Sequence, residues 1–374
     1  MKFDTLTVHA GAAVDAETGA LVAPLHLSTT FEHEPDGSAR QGFTYQRGDN
    51  PTQCRLEHAL AALDSGDAAV FCASGMAAGT ALLQAIPAGS HVLLQDDIYH
   101  GYRTLARDYF ERWRLRVSSV DMTDLDAVRT AIDPRTRLVW AESPSNPLLK
   151  VIDIAGLATL ARDHEARLVI DSTFATPALQ QPLTLGADIV LHSATKYMGG
   201  HSDVMGGALV FAENGEFAAA CRLVRSTIGL NASPFAAWMV LRGLRSLAVR
   251  IDKHCANARV VAEFLAGHSQ VESTHYPGLA SHPQHALARR QMRDFGGMLS
   301  FRVLGGRDAA LAVAGRLRLF TNATSLGGCE SLVEHRASVE GAHPVSPSNL
   351  LRLSVGIEDP ADLIDDLAHA LDAR

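Results

Sequence analysis

The chain has 374 residues, with 33 Lys or Arg against 41 Asp or Glu, and a formal net charge of −8. Hydrophobic residues make up 47% and charged residues 20%, which is typical of a folded globular protein and excludes a disordered or fibrous one. The length predicts two or three structural units. The net acidity argues against a nucleic-acid partner, because nucleic-acid-binding proteins normally carry a clustered basic face.

The five cysteines are widely spaced, odd in number and contain no C-x-x-C pair. This is not the spacing of a disulfide scaffold or a thiolate zinc site, so we expect a reducing, cytoplasmic compartment and no metal centre. The N-terminus carries no apolar signal core, and no run of about 18 apolar residues is present to span a bilayer. We therefore expect no membrane partner.

Along the chain, residues 1–49 show weak periodicity and many turn formers, and we expect an arm that lies on a partner subunit. Asn50 and Pro51 predict a helix start, as an N-cap followed by proline. Short apolar runs then predict strands at residues 68–72, 91–94, 115–120, 138–141, 168–170, 189–191 and 208–211. Helix-patterned segments such as 123–132 and 154–164 separate most of these runs, which indicates a largely parallel sheet covered on both faces.

The pattern changes after residue 231. Residues 234–265 are helical in character, 298–303 and 350–355 are patterned as strands, and 360–371 predict a closing helix. These elements indicate a smaller α+β domain. The predicted division is an arm over residues 1–49, a first domain over 50–231 and a C-terminal domain over 232–374.

The common nucleotide-binding and metalloprotease motifs are missing. The sequence contains no G-x-x-x-x-G-K-[ST], no G-x-G-x-x-G and no H-E-x-x-H. Residues 193–196 match the S-x-x-K motif of penicillin-binding proteins, but the companion K-T-G is absent. We therefore set serine acyl transfer aside.

Two polar residues follow neighbouring predicted strands. Asp171 ends the run 168–170, and Lys196 lies just beyond the run 189–191. Ligands of open α/β sheets bind outside the carboxyl ends of the strands. A lysine can form a Schiff base with an aldehyde cofactor and a carboxylate can keep a pyridine nitrogen protonated, which are the two protein groups that pyridoxal phosphate needs.

The same cofactor needs a phosphate site. Residues 74–76, Ser-Gly-Met, follow a predicted strand and open the helical run 77–86, whose free N–H groups can bind an anion. Ser193 and Thr195 can add hydroxyl donors. Tyr99 follows the strand at 91–94 and can stack on an aromatic ring.

Ordered motifs run nearly end to end through the chain, at residues 45–52, 74–76, 142–147, 171–177, 193–203, 325–328 and 351–356. Together they resemble the Cys/Met-metabolism family of pyridoxal-phosphate enzymes, which includes cystathionine γ-synthase, cystathionine γ-lyase, cystathionine β-lyase and methionine γ-lyase. The resemblance implies the α/β, aspartate-aminotransferase-like fold (fold type I), with a mostly parallel seven-stranded sheet in a cofactor domain and a smaller C-terminal α+β domain. It also implies a homotetramer, built from two dimers that share active sites.

The resemblance assigns roles to individual residues. Lys196 would bind pyridoxal 5′-phosphate as a Schiff base and move protons between Cα, C4′ and Cβ, Asp171 would pair with the pyridine nitrogen, and Tyr99 would stack on the ring and assist proton transfer. Arg352 would clamp the substrate α-carboxylate, which suits a bidentate guanidinium. The phosphate would be bound by Gly75, Met76, Ser193 and Thr195, and by Tyr45 and Arg47 of the neighbouring subunit. Asn146 and Thr173 would contact the cofactor. Asn146, Ser325 and Thr324 would contact the substrate.

The chain departs from the family pattern at three places. Ser172 replaces the usual Asn after Asp171, and His100 and Tyr102 stand in the usual Tyr-Gly-Gly-Thr. Thr324 stands where γ-synthases and γ-lyases often carry a glutamate associated with the distal part of the substrate.

The implied function is to make or break a C–S bond at Cβ or Cγ of an amino acid, with cystathionine γ-synthase or γ-lyase chemistry expected first. Cystathionine β-lyase or methionine γ-lyase activity is the alternative, and a non-catalytic pyridoxal-phosphate carrier is a remote one. The sequence leaves open the sulfur amino acid, the homoserine ester of a synthase, and the choice between elimination and replacement.

Overall fold

The larger of two sheets has seven strands in the computed structural model, which describes residues 1–341 and 344–372. The strands are β1 Ala68–Cys72, β2 His91–Gln95, β3 Arg116–Val120, β4 Thr136–Glu142, β5 Arg167–Asp171, β6 Ile189–His192 and β7 Gly207–Phe211. Their order across the sheet is β1-β7-β6-β5-β4-β2-β3, and among them β7 alone runs antiparallel to its neighbours. The predicted, mostly parallel seven-stranded sheet is confirmed.

The strands read as apolar runs because helices cover both faces of the sheet. In β6, Val190 packs in the cluster on one face and Leu191 in the cluster on the other. The edge strand β3 is the exception, since its residues 116–119 are exposed and include two serines. The helices associated with this sheet are α2 Pro51–Asp64, α3 Gly75–Ala85, α4 His100–Tyr109, α5 Leu125–Ala131, α6 Ile154–Asp163, α7 Thr176–Leu179 and α8 Glu216–Ile228, with a 3₁₀ turn at Pro182–Leu185.

Two N-terminal features bear on the predictions. The side chain of Asn50 accepts a hydrogen bond from the backbone N of Thr52 at 2.9 Å, so the predicted cap of α2 is confirmed. A short helix, α1 Phe3–His9, lies in a segment where no regular element was predicted. Its Phe3 and Leu6 pack against the core, which explains why so short a helix is present.

The second sheet has five strands, in the order β10-β11-β12-β9-β8. They are β8 Val271–His275, β9 Met298–Val303, β10 Thr321–Asn322, β11 Leu332–His335 and β12 Leu350–Ser354, and all pairs except β10 with β11 are antiparallel. The accompanying helices are α9 Pro234–Leu244, α10 Leu247–Gly267, α11 His285–Gln291, α12 Gly306–Arg316, α13 Arg336–Val339 and α14 Pro360–Asp372. The strands predicted at 298–303 and 350–355 and the closing helix are confirmed, while the helical region 234–265 is two helices.

Domain boundaries at residues 49/50 and 231/232 stay predictions. Within residues 1–341 and 344–372, no helix combines the length and the apolar composition that a bilayer crossing requires.

A buried ion pair ties the end of the N-terminal segment to the sheet. Arg225 on α8 donates to the Glu57 carboxylate on α2 and, at 2.6 Å, to the carbonyl of Gly48. Glu57 also accepts from the backbone N of Phe71 on β1 at 2.8 Å. Burial raises the pKa of Glu57, and the Arg225 charge lowers it. Removal of either side chain would therefore leave a buried charge without its partner, which destabilises the fold.

Replacing Glu57 with alanine should lower the free energy of unfolding by about 3–5 kcal/mol, because it leaves a buried guanidinium without its counter-charge. The measurement is urea denaturation of wild type and variant. The double variant Glu57→Leu with Arg225→Met removes both charges and should be closer to wild type than Glu57→Ala. A double variant that is no more stable than the single one would contradict this account.

Candidate active site

A cavity of about 430 Å³ lies between the carboxyl edge of the larger sheet and the strands β11 and β12. Twelve of the fourteen predicted site residues line it: Gly75, Met76, Tyr99, Asn146, Asp171, Thr173, Ser193, Thr195, Lys196, Thr324, Ser325 and Arg352. The other two, Tyr45 and Arg47, are exposed and are not part of this lining. One chain thus brings together all predicted groups except the pair expected to come from a neighbouring subunit.

Lys196 lies four residues beyond the end of β6, in a turn closed by backbone hydrogen bonds from Lys196 to Ser193 and from Gly200 to Lys196. Its Nζ donates to Ser325 Oγ at 2.8 Å. Burial, and then the positive charge of Arg352, lower the pKa of Lys196 to about 8. A substantial fraction of the side chain is therefore neutral near physiological pH, and a neutral amine is the nucleophile that reacts with an aldehyde.

Asp171 is the last residue of β5 and is buried. Burial raises its pKa, while hydrogen bonds from Thr173, one of them from the backbone N at 3.0 Å, lower it. No Lys or Arg among residues 1–341 and 344–372 forms an ion pair with this carboxyl group. A protonated nitrogen from a ligand in the cavity would therefore supply the positive partner that this buried acid lacks.

The start of α3 faces the turn that carries Lys196. Ser74 caps this helix of 11 residues by accepting from the backbone N of Ala77 at 3.1 Å. A Cβ at Gly75 would lie 3.1 Å from Ser193 Cβ, so any larger residue would require the helix start or the turn to shift by a few tenths of an ångström. The Thr195 hydroxyl donates to Gly206 O at 3.1 Å. The helix N-terminus and the neighbouring Ser193 make a cradle that suits a phosphate group.

Tyr99 precedes α4, and its backbone N donates to Glu142 Oε2 at 2.7 Å. Its ring lies edge-on to His100 and Tyr102, at centroid distances of 4.7 and 5.9 Å. Burial raises the pKa of Tyr99, and the nearby arginines lower it. Burial and the Asp171 charge raise the pKa of Glu142 well above its usual range. The sequence assigned Glu142 no role, and here it anchors the backbone at Tyr99.

Arg352 on β12 is 4% exposed and is held by three groups. Its Nη1 donates to Asn146 Oδ1 at 3.0 Å, and its Nη2 donates to Ser325 O at 3.0 Å and contacts Glu334 Oε2 at 2.8 Å. Burial lowers the pKa of Arg352 to about 10, and the Glu334 charge raises it. Ser325 thus contacts both Lys196 and Arg352, and it does so with φ at 90°, a backbone conformation that non-glycine residues rarely adopt.

Sequence reasoning missed several residues of the lining. Glu142, Glu334 and Arg336 are the ionisable ones, and Phe174, Met205, Leu326 and Val339 are the apolar ones. No local signal pointed to Glu334, because only two apolar residues, 332–333, precede it and so short a run does not predict a strand.

Comparison with known proteins decides the family. The sequence profile described as Cys/Met metabolism PLP-dependent enzyme matches residues 4–372. The chain belongs to this family. A cystathionine γ-synthase of Mycobacterium tuberculosis (strain H37Rv) is 49% identical, over 98% of this chain and 96% of its own length. A cystathionine β-lyase of Coxiella burnetii is 43% identical, over 98% and 97%.

Among solved structures, metB from Corynebacterium glutamicum superposes with a TM-score of 0.97 at 42% identity, covering 100% of this chain and 98% of the other. The fold expected from the resemblance, that of fold type I enzymes, is confirmed. Family membership makes pyridoxal 5′-phosphate the cofactor. The lining fits it: the amine of Lys196, the unpaired acid of Asp171 and the cradle at Gly75 match an aldehyde, a pyridine nitrogen and a phosphate.

In cofactor-free protein, the rate constant for capture of pyridoxal phosphate should rise with pH with a midpoint near 8, since Lys196 reacts as the neutral amine. Arg352→Met removes a positive charge that disfavours the protonated lysine, so the midpoint should move to higher pH. Arg352→Lys keeps the charge and serves as the control. Visible absorbance reports the capture, and a wild-type midpoint at the ordinary lysine value of 10.5 would contradict the assignment.

Proposed function

We propose that this chain is a transsulfuration enzyme, which makes or breaks a C–S bond of a sulfur amino acid, with cystathionine γ-synthase or γ-lyase activity. The observation that carries the proposal is one cavity that holds a lysine with a pKa of about 8, a buried carboxyl group and a guanidinium. The γ-synthase named above, 49% identical over nearly the whole chain, supports the same activity.

Bound pyridoxal phosphate supplies an electron-withdrawing ring that takes up the electron pair left when Cα loses a proton. In our proposal Lys196 would hold the cofactor through its carbonyl carbon, Asp171 would keep the ring nitrogen protonated, and Tyr99 would cover one face of the ring. The remaining cofactor contacts come from Gly75, Met76, Ser193 and Thr195 around the phosphate, and from Asn146 and Thr173 along the ring.

The substrate is oriented by its α-carboxylate. We assign this contact to Arg352, whose guanidinium is fixed by Asn146 and by the carbonyl of Ser325. A carboxylate bound there lies beside Lys196, since Ser325 contacts both side chains. The substrate's amino group would displace Lys196 from the cofactor, and the freed neutral amine would then accept the proton from Cα, and a further proton from Cβ in a γ-reaction.

Thr324 sets a limit on how the distal end of the substrate is recognised. It lines the cavity and is exposed, and it offers a hydroxyl instead of a negative charge. A charge-assisted hydrogen bond contributes about 1.5–3 kcal/mol, and a neutral one about 0.5–1.5 kcal/mol. Thr324 would therefore bind a distal ammonium only weakly, so cystathionine β-lyase or methionine γ-lyase activity is the second candidate. The β-lyase relative at 43% identity also supports this candidate.

The assembly that we propose is a cytoplasmic homotetramer of two dimers with shared sites. Tyr45 and Arg47 are exposed and lie next to each other, with the Arg47 guanidinium 5.5 Å from the Tyr45 ring centroid. Arg47 also donates to the carbonyl of Ser226 at 3.2 Å. A phenol and a guanidinium presented together at the surface are suited to a phosphate in a neighbouring subunit.

Purified enzyme incubated with cystathionine, methionine, cysteine and an activated homoserine ester plus cysteine should yield 2-oxobutyrate or a new thioether. Products are identified by mass spectrometry. Lys196→Ala is the control and should lose turnover by several orders of magnitude, because it removes the amine that we assign to Cα proton transfer. Pyruvate from cystathionine as the main product would move the assignment to β-elimination, and no turnover of any of these compounds would reject the proposal.

Mixed dimers of Lys196→Ala and Arg47→Ala subunits should regain activity. If Arg47 serves the neighbouring site, a mixed dimer contains one site with both defects and one with neither, and it should show up to about half of the wild-type activity per dimer, whereas each single variant is inactive or weak. The subunits carry different affinity tags, so that mixed dimers are isolated before the assay. Confirmed mixed dimers without recovered activity would show that each site is built within one chain.

A further inference from the structure

Five charged side chains of alternating sign run from α4 to the substrate cavity: Arg103, Glu340, Arg336, Glu334 and Arg352. Arg103 Nη2 lies 3.2 Å from Glu340 Oε1, which lies 3.7 Å from Arg336 Nη2. Arg336 Nη1 donates to Glu334 Oε2, and that same oxygen lies 2.8 Å from Arg352 Nη2. Apart from Arg103, at 23%, these side chains are no more than 5% exposed.

Strand pairing places the inner three of these five side chains, Arg336, Glu334 and Arg352. Glu334 on β11 is the direct antiparallel partner of Arg352 on β12, so the two side chains lie on the same face of the sheet. Arg336 follows two residues after Glu334 and begins α13. Two guanidinium groups are thereby brought to one carboxylate oxygen at the wall of the cavity that contains Lys196.

Arg336 depends on Glu334. Within residues 1–341 and 344–372, its Nε and Nη2 have no hydrogen-bond acceptor, so the Glu334 carboxylate is its hydrogen-bonded partner there. Glu340 is anchored elsewhere: it accepts from the backbone N of Val345 at 2.8 Å and from the hydroxyl of Ser346 at 2.6 Å. Glu334 is therefore the carboxylate to which Arg336 donates directly, whereas Glu340 lies farther from Arg336 and has hydrogen-bond partners of its own.

We propose that Arg336 is a positioning residue for the α-carboxylate of the substrate, and that it acts by neutralising Glu334. The proposal rests on the role assigned above to Arg352. Without Arg336, the Glu334–Arg352 pair is neutral, and the Glu334 charge repels an incoming carboxylate. With Arg336, the three groups carry one net positive charge, which a single carboxylate balances. Because the groups are buried, solvent and salt screen this effect little.

A merely structural Arg336, one that only pins α13 to β11, would behave differently. Its loss would loosen the cavity wall and weaken every ligand, whatever the charge of that ligand. If Arg336 neutralises Glu334, its loss weakens the binding of ligands that carry a carboxylate and leaves other ligands unaffected. Removal of the Glu334 charge then restores the binding of the carboxylate ligands. The structural role and the neutralising role therefore predict different ligand selectivities, and only the neutralising role predicts that removal of the Glu334 charge restores binding.

The test measures calorimetric dissociation constants of two ligands, L-norleucine and L-norleucinamide, with the pyridoxal-phosphate-loaded enzyme. They share the α-ammonium and side chain, and only norleucine has the carboxylate. Arg336→Met should weaken norleucine by about tenfold or more and change the amide by less than about twofold. Arg336→Met combined with Glu334→Gln should restore norleucine binding, and Arg336→Lys should stay near wild type. Arg107→Met, an exposed α4 arginine paired with Asp108, is the matched control without effect.

Glu334→Gln alone keeps both arginines and should bind norleucine at least as tightly as wild type, which tests the proposal even if Arg336→Met does not fold. Equal weakening of both ligands by Arg336→Met, or no restoration in the folded double variant, would overturn the proposal. If the wild type itself does not prefer norleucine over its amide, the error lies instead in the role of Arg352 and hence in the proposed function.

Discussion

The site depends on burial of ionisable groups where parallel strands end side by side. β4 ends at Glu142, β5 at Asp171, and the turn after β6 carries Lys196. Asp171 pairs in register with Glu142 on one side and Leu191 on the other, so these strand ends share one edge. The helices above and below the sheet keep water away from this edge, and every charge there must find a partner or change its protonation.

One physical cause thus moves several pKa values in the directions that the chemistry uses. Burial lowers the pKa of Lys196 and raises those of Asp171 and Glu142. The lysine becomes a usable nucleophile and base, and the acids require a positive partner or remain neutral. Arg352 keeps its charge under the same burial, because its pKa of about 10 is still above physiological pH and Glu334 lies beside it.

The sequence predicted the residues that follow an apolar run, because such runs become buried strands. It did not predict the residues that reach the site only through the pairing of one strand with another. Asp171 and Lys196 could be placed because they follow apolar runs, which become fully buried strands. The strand β11 has four residues, only two of them apolar, so nothing in its pattern indicated a strand. Arg336 was missed for the same reason, since it reaches the cavity through the register of β11 with β12. The contacts of Tyr45 and Arg47 stay predictions, because a single chain does not contain them.

The close contact between Gly75 and Ser193 has a further consequence. The start of α3 touches the turn after β6 directly, and the backbone N of Ser193 donates to Thr173 Oγ1 at 2.8 Å. Three segments far apart in sequence are therefore held together by the protein's own packing. The entropy cost of ordering them is incurred during folding, so the phosphate that we propose for this place would enter a preorganised site and would not have to offset that cost from its binding energy. A larger side chain at position 75 would press against Ser193 and move the walls of that site apart.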